Sequence, residues 1–163
     1  MIILVPKKIL VYNEISEGFV YSKALNFKYQ PSYIDFGPDQ SSILLSYRSS
    51  HGDEPFRNVL INLNGDTLNV LPNHYKYKKN TNIMFEIVSE NIQFLFNNKL
   101  NFKFWLCDTV FALDRSNKIN PYLIFDSHGK QLPLKALANF SPSEQIPEHF
   151  EVNLILRQPL FLF

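Results

Sequence analysis

The stretch Val59-Leu-Ile-Asn-Leu63, Asn64-Gly65, Asp66-Thr-Leu-Asn-Val70 decides the fold. Two runs rich in alternating apolar and polar residues flank an Asn-Gly pair, and Asn-Gly suits a type I′ turn because both central residues need positive φ. With Asn64 and Gly65 at the turn, Leu63 faces Asp66, Ile61 faces Leu68 and Val59 faces Val70. Apolar side chains then meet on one face and Asn62 meets Thr67 on the other, which is the agreement between turn chemistry and alternation that a hairpin requires.

Downstream, Ile83, Phe85 and Ile87, then Ile92, Phe94 and Phe96, then Leu100, Phe102, Phe104 and Leu106 recur at every second position. This is the period of strands, not helices. A reversal at Ser89-Glu90 predicts Ile87 opposite Ile92 and Phe85 opposite Phe94. A three-residue loop Asn97-Asn98-Lys99 predicts Phe96 opposite Leu100 and Phe94 opposite Phe102, giving a meander with one aromatic face. Lys99 is the weak residue of that loop, where Gly is preferred. Tyr122-Leu-Ile-Phe125 and the alternation of Phe150, Val152, Leu154 and Leu156 predict further strands. One short helix is placed at Leu132 to Ala138, with Pro133 suited to its first position.

Fifteen Phe, eight Tyr and only two Met favour pleated, half-buried surfaces, and ten Pro divide the chain into short pieces. Apolar residues at 45% and charged residues at 19% supply ample core material. No repeat, low-complexity tract or long linker is seen, so residues 1–163 read as a single β domain. Short strands without long crossover helices predict an all-β fold, an antiparallel β-sandwich or jelly-roll-like barrel with little helix.

A net charge of +1 supplies no global field for nucleic acid or an anionic membrane. The apolar run Met1 to Val5 precedes the basic pair Lys7-Lys8 and is too short for a secretion signal, and no apolar stretch has the length of a membrane span. With one cysteine, Cys107, neither a disulfide framework nor a multi-thiolate zinc site is available.

Candidate chemistry is sparse. Cys107 could act as a nucleophile only beside one of His51, His74, His128 or His149, and its place after Phe104-Trp105-Leu106 marks it instead as a buried packing residue. Asp126-Ser127-His128 holds the residue types of a hydrolase triad, but as sequence neighbours closed by Gly129 they read as a polar turn. Asp35-Phe36-Gly37 lacks every other part of a kinase site, and Gly37-Pro38-Asp39 reads as a turn. His51-Gly52-Asp53-Glu54 offers metal-type ligands without metal-motif spacing. His74-Tyr75-Lys76-Tyr77-Lys78-Lys79 interleaves rings and cations as single-stranded nucleic-acid sites do, yet in a nearly neutral chain it reads as a Lys-protected edge strand. Asn139-Phe140-Ser141 fits a glycosylation acceptor formally.

These readings assign no catalytic, cofactor or metal residue. They lead to a non-enzymatic structural or attachment component of a larger assembly, in its narrower form a virion protein of a virus or bacteriophage (capsid, spike or tail). The expected partners are other copies of itself or other subunits, or a glycan or receptor; nucleic acid is not expected. The expected location is the virion, otherwise the cytoplasm. The alternative is a carbohydrate- or protein-binding module using Tyr33, Tyr47, Asn73 and Tyr122. Both ends, Met1 to Val5 and Leu160, Phe161, Leu162 and Phe163, are expected to dock, either against their own sheet or against a neighbouring subunit, because each large apolar side chain left in water forgoes roughly 1.5 to 3 kcal/mol of burial. Removing Leu160 to Phe163 is expected to dissociate an oligomer into folded subunits if the tail is an assembly clamp, the favoured reading, or to unfold the protein if the tail is part of its own core, read by mass and melting temperature together. Unchanged mass and melting would reject that role for the tail.

Overall fold

The computed structural model describes residues 1–47, 54–78, 91–104, 107–126 and 128. The segments predicted at Ile83 to Ile87, Leu132 to Ala138, Phe150 to Leu156 and Leu160 to Phe163 lie outside them. Within the described residues every regular element is a strand: β1 (Ile2–Val5), β2 (Lys8–Ile15), β3 (Gly18–Asn26), β4 (Tyr33–Phe36), β5 (Ser42–Ser46), β6 (Phe56–Asn62), β7 (Thr67–Pro72), β8 (Asn91–Phe96), β9 (Lys99–Phe104), β10 (Thr109–Leu113) and β11 (Ile119–Ile124). The all-β antiparallel class expected from the sequence is therefore the observed one.

The strands form three sheets, ordered β1-β2-β3, β4-β5-β6-β7 and β11-β10-β9-β8. Each is an up-and-down meander in which every strand pairs antiparallel with its neighbour in sequence. The sheets meet face to face as in a sandwich, extended to three layers. No Greek-key return of the jelly-roll kind occurs among the described strands.

The second sheet is the middle layer. Ile43, Leu45 and Tyr47 from the β5 run, with Val59 and Ile61 of β6, pack against Ile9, Val11 and Leu25 of the first sheet. From the other face, Leu44 and Leu60 pack against Leu100, Phe102, Phe104, Cys107 and Leu113 of the third. All five residues of β5 are consequently buried. A strand covered on both sides has no polar face, so Ser42-Ile-Leu-Leu-Ser46 shows no clean period of two.

Two registers differ from those expected. Around Gly65 the chain forms a three-residue loop, not a two-residue one. Gly65 alone there takes positive φ, +96°, while Asn62 Oδ1 accepts the N–H groups of Asn64 and Asp66 at 2.9 Å each. The Asn62 N–H bonds the Asp66 carbonyl at 2.9 Å. This is a turn followed by a glycine bulge, nucleated by the Asn62 side chain. Val59 still pairs with Val70, but Ile61 faces Thr67 and a bulge separates Leu60 from Ile61.

Between β8 and β9 the expected three-residue loop is a two-residue turn. Asn97 and Asn98 have φ of 51° and 56°, the left-handed pair of a type I′ turn, which Asn tolerates better than other residues with a side chain. Lys99 is thereby released into the strand opposite Phe96. Gln93 faces Phe102, and Phe94 faces Asn101. A slip of one residue exchanges the faces of β8, so its aromatic set does not join that of β9. The pairings predicted for Phe85 and Ile87 lie outside the described residues.

A structural repeat also emerges that the sequence reading lacks. In the β10–β11 turn Asp114 Oδ1 accepts the N–H groups of Ser116 and Lys118 at 2.9 and 3.0 Å, as Asn62 does between β6 and β7. Asn117, at φ 62°, stands where Gly65 stands. The two turns are roughly 50 residues apart, the length of one sheet unit in serially stacked β architectures. Only the capping acceptor and the left-handed position are shared in type, which is why the repeat is hidden in the letters.

The serine and backbone bonds at these turns hold two carboxyls below their ordinary range. For Asp114 the Ser116 hydroxyl and Lys118 N–H lower it. For Asp39, in the β4–β5 turn, burial raises the carboxyl, but bonds from Ser41 and Ser42 outweigh it. With folded values below unfolded ones, their contribution is present above the unfolded carboxylate range and is lost as pH falls through the folded values. Asp114→Asn is expected to keep the turn, as Asn62 does, and to reduce the acid-side fall in melting temperature. Asp114→Ala is expected to melt lower at neutral pH. Thermal melts from neutral pH down through the carboxylate range check both, and an Asn variant with the parent's acid slope would reject the assignment.

Candidate functional site

The register of β6 against β7 skips one residue, Arg57, between Phe56 paired with Pro72 and Asn58 paired with Leu71. A bulge of this kind re-aims side chains. Phe56 turns toward the first sheet, where its ring meets Tyr47 and Tyr29 edge to face. Arg57 turns toward the third, its guanidinium 5.8 Å from the Phe104 ring centre. Arg57 is 3% exposed.

Around this buried cation sits a polar cluster. Arg57 Nε donates to Asn73 Oδ1 at 3.1 Å. The Tyr75 N–H donates to the same oxygen at 3.0 Å, and Asn73 Nδ2 donates to the Glu54 carbonyl at 3.0 Å. The Tyr75 hydroxyl then reaches Cys107 Sγ at 3.7 Å, and the Thr109 N–H reaches that sulfur at 3.4 Å. Burial, followed by the neighbouring Cys107 and Asp108, pushes the Tyr75 phenol above its ordinary range, against the opposing pull of Arg57. Burial alone pushes Tyr47 up to about 12. Both phenols are therefore neutral donors at physiological pH, fit to hold an acceptor and not to remove a proton.

A second polar seam joins the middle and third sheets. Asn58 Nδ2 and Gln93 Nε2 both donate to Ser46 Oγ at 2.7 Å. The one-residue slip of β8 is what carries Gln93 to this face. Sequence reasoning missed both clusters, because Arg57, Asn58 and Asn73 resemble ordinary surface residues until the bulge and the turn are known.

Cys107 is buried, as its neighbours in sequence imply. Its sulfur meets the Tyr75 hydroxyl and the Thr109 N–H. His74 and His128 are exposed, while His51 and His149 lie outside the described residues. Asp126 and His128 do meet, Nδ1 to Oδ2 at 3.0 Å and N–H to Oδ1 at 2.8 Å, as an exposed polar turn; Ser127 lies outside. Asp35, Phe36 and Gly37 close β4 and enter the turn that Asp39 caps with Ser41 and Ser42. Of His51-Gly52-Asp53-Glu54 only Glu54 is described.

The segment 74–78 is not the edge strand expected; it belongs to no strand. Its alternation is nevertheless used. Tyr75 turns into the core formed with the third sheet while His74, Lys76 and Lys78 are exposed. The Asn73 side chain binds the Tyr75 N–H, and this local capture competes with a ladder.

Among the described residues, the far half of the β2–β3 hairpin is an exposed apolar feature. Residues 13–22 are exposed on both faces, and they carry Ile15, Phe19 and Val20 at 50% exposure and Tyr21 at 55%. Tyr12 and Tyr21 pair across the strands edge to face at 5.8 Å, stiffening the base of this arm. At its tip Gly18 adopts φ +137°, a conformation other residues rarely take.

Among the described residues no three His, Cys, Asp or Glu side chains gather as a metal site. None of the helices a membrane crossing would need, long and apolar, is found there either. No family model and no curated protein matches the chain. Among solved structures it is similar to dihydro-heme d1 dehydrogenase NirN in complex with DHE, at 15% identity and a TM-score of 0.40. The match covers 76% of this chain and 26% of that one, so the chain spans about a quarter of the protein it resembles.

Cys107→Ala is expected to cost about 1 kcal/mol or slightly more in denaturant unfolding, from lost packing and the stranded Tyr75 hydroxyl. Arg57→Met is expected to cost about 1 to 3 kcal/mol, since it removes a charged donor from buried acceptors. A bulky thiol reagent should label Cys107 only on unfolding. Rapid labelling of the native protein would contradict the burial.

Proposed function

We propose that this chain is a non-catalytic component of a larger protein assembly and that the β2–β3 arm is its principal contact. The observation that carries the reading is the arm itself: four large apolar side chains half exposed on a two-stranded projection. Phe19 and Tyr21 lie on one face of the arm and Ile15 and Val20 on the other, so each face carries exposed apolar surface of the kind that marks interaction sites on soluble proteins. The described groups that could do chemistry support the same reading, because Cys107, Tyr75 and Arg57 are engaged with one another in a packed interior and the exposed histidines stand apart from them.

The magnitudes indicate how such an arm works. Burying the remaining exposed half of four such side chains yields roughly 3 to 6 kcal/mol. A micromolar complex needs about 8 kcal/mol. The arm therefore acts within a wider contact or through repetition around a symmetric assembly, where several weak contacts close a ring. A capsid, spike or tail subunit is one form of such a component.

A carbohydrate- or protein-binding module is the second reading. Of its four residues, Tyr47 and Asn73 are buried. A ligand would be left with Tyr33 on β4 and Tyr122 on β11, strands of different sheets.

Size-exclusion chromatography with mass measurement tests the proposal. A defined oligomer is expected, and Phe19→Ser combined with Tyr21→Ser is expected to lower its mass to that of a subunit while the melting temperature is retained. A monomeric parent protein that binds a glycan array would overturn the assembly reading in favour of the second.

A further inference from the structure

The β6–β7 turn holds the one Asn-Gly pair of the sequence, and β3 of the first sheet contacts both of its members. Lys23 donates to Asn64 Oδ1 at 2.9 Å. The Leu25 side chain lies against Gly65, where an added Cβ would come within 3.1 Å of Leu25 Cδ2. Glycine is required twice at this position, by that contact and by its φ of +96°. The fold therefore fixes a residue without a side chain directly after an exposed asparagine.

Such a pair is chemically unstable, because an asparagine amide lies within reach of the backbone nitrogen that follows it and glycine puts no side chain in the path. The Gly65 nitrogen gives its proton to solvent base and attacks Asn64 Cγ. The new C–N bond closes a succinimide ring, Oδ1 carries the negative charge of the tetrahedral intermediate, and Nδ2 takes up a proton and leaves as ammonia. Water then opens the ring at either carbonyl. One opening gives an aspartyl residue and the other an isoaspartyl residue, whose backbone is a methylene longer. In sum, amide and water become acid and ammonia.

Two contacts act on this reaction in opposite senses. The Gly65 N–H donates to the Asn62 carbonyl at 3.0 Å, and that bond must open before the nitrogen can attack. The folded turn is therefore slower than the unfolded chain. Lys23, by contrast, already touches the oxygen on which charge develops, and a cation there stabilises the transition state more than it stabilises the neutral amide. The other turn asparagines lack this combination: Asn97, Asn98 and Asn117 are followed by Asn98, Lys99 and Lys118.

We propose that Asn64 is a site of spontaneous deamidation promoted by Lys23, and that its aspartyl product tightens the joint between the first and middle sheets. Exchange of the amide for a carboxylate converts the Lys23 contact from a hydrogen bond to a neutral oxygen into an ion pair, with the backbone unchanged. Asp66, the carboxylate already in this turn, is engaged by Asn62 Nδ2 at 2.9 Å. The isoaspartyl product acts the other way, because its longer backbone cannot keep the N–H groups of both Asn64 and Asp66 on Asn62 Oδ1. The site is separate from the β2–β3 arm and stands on different observations.

The test is timed incubation of the native full chain in mildly alkaline buffer, followed by proteolysis and mass spectrometry of the peptide that contains Asn64. The mass gain of an amide-to-acid exchange is expected there, ahead of Asn98 and Asn117. Lys23→Met is expected to slow the gain roughly two- to fivefold, the scale of one exposed charge contact, and Lys23→Arg to restore it. In denaturant all three proteins are expected to react alike and faster. Should Lys23→Met fail to fold, the native parent in high salt, which screens the ammonium, is expected to slow in the same way. Asn64→Asp supplies the aspartyl form directly and is expected to melt above the parent, with the difference vanishing in high salt. No conversion of Asn64 in the native protein after many half-lives of the denatured one would overturn the proposal. So would a folded Lys23→Met variant that reacts as fast as the parent or faster, since Lys23 would then serve only to stiffen the turn. An Asn64→Asp protein that melts no higher than the parent would overturn the tightening of the joint.

Discussion

The burial of the middle sheet on both faces is the constraint on which the rest of this structure depends. Leu44 and Leu60 point one way; Ile43, Leu45, Val59 and Ile61 point the other. Each fully buried side chain of this size contributes roughly 1.5 to 3 kcal/mol, and the gain requires a covering sheet on each side. Either outer sheet alone would leave half of these groups in water. The three layers are therefore mutually dependent, with β5 and β6 as the shared element.

Apolar stacking is indifferent to exact register, whereas the polar groups set into it are not. Ser46, Asn58 and Gln93 must meet for their bonds to form, and Arg57 must lie within reach of Asn73 and over Phe104. A sheet displaced by one residue would bury these groups without partners, at about 1 to 3 kcal/mol each. Asn58 Oδ1 is buried in this seam and has no hydrogen-bond partner among the described residues. The seam between the middle and third sheets thus contributes specificity where the leucines contribute adhesion.

The class of the fold was legible because aromatic and branched residues at alternate positions admit few other readings, and Cys107 was legible because its neighbours are large and apolar. Registers were less legible. Whether a turn holds two residues or three depends on which amide captures which N–H, and Asn62 outside its Asn-Gly pair outweighed the pair itself. Asn97-Asn98 in turn displaced Lys99 and exchanged the faces of β8. β5 gave no periodic signal because it has no solvent face. The Arg57 bulge and the Asn73 cluster depend on contacts between elements distant in sequence, and no local pattern announces them. The exposed hairpin arm could have been noticed from Gly18 between Ile15 and Phe19, but its exposure is a property of where the stack ends.

The serial meander also sets the order in which the chain can organise itself. Among the described strands every pairing joins neighbours in sequence, so closing each hairpin costs little loop entropy. Long-range closure enters only when preformed sheets stack. Among all-β topologies this is a low contact order, which places folding toward the faster end for such chains. The nascent chain can complete one sheet before the next is synthesised, and the two-sided middle layer is the step at which the sheets become one cooperative unit.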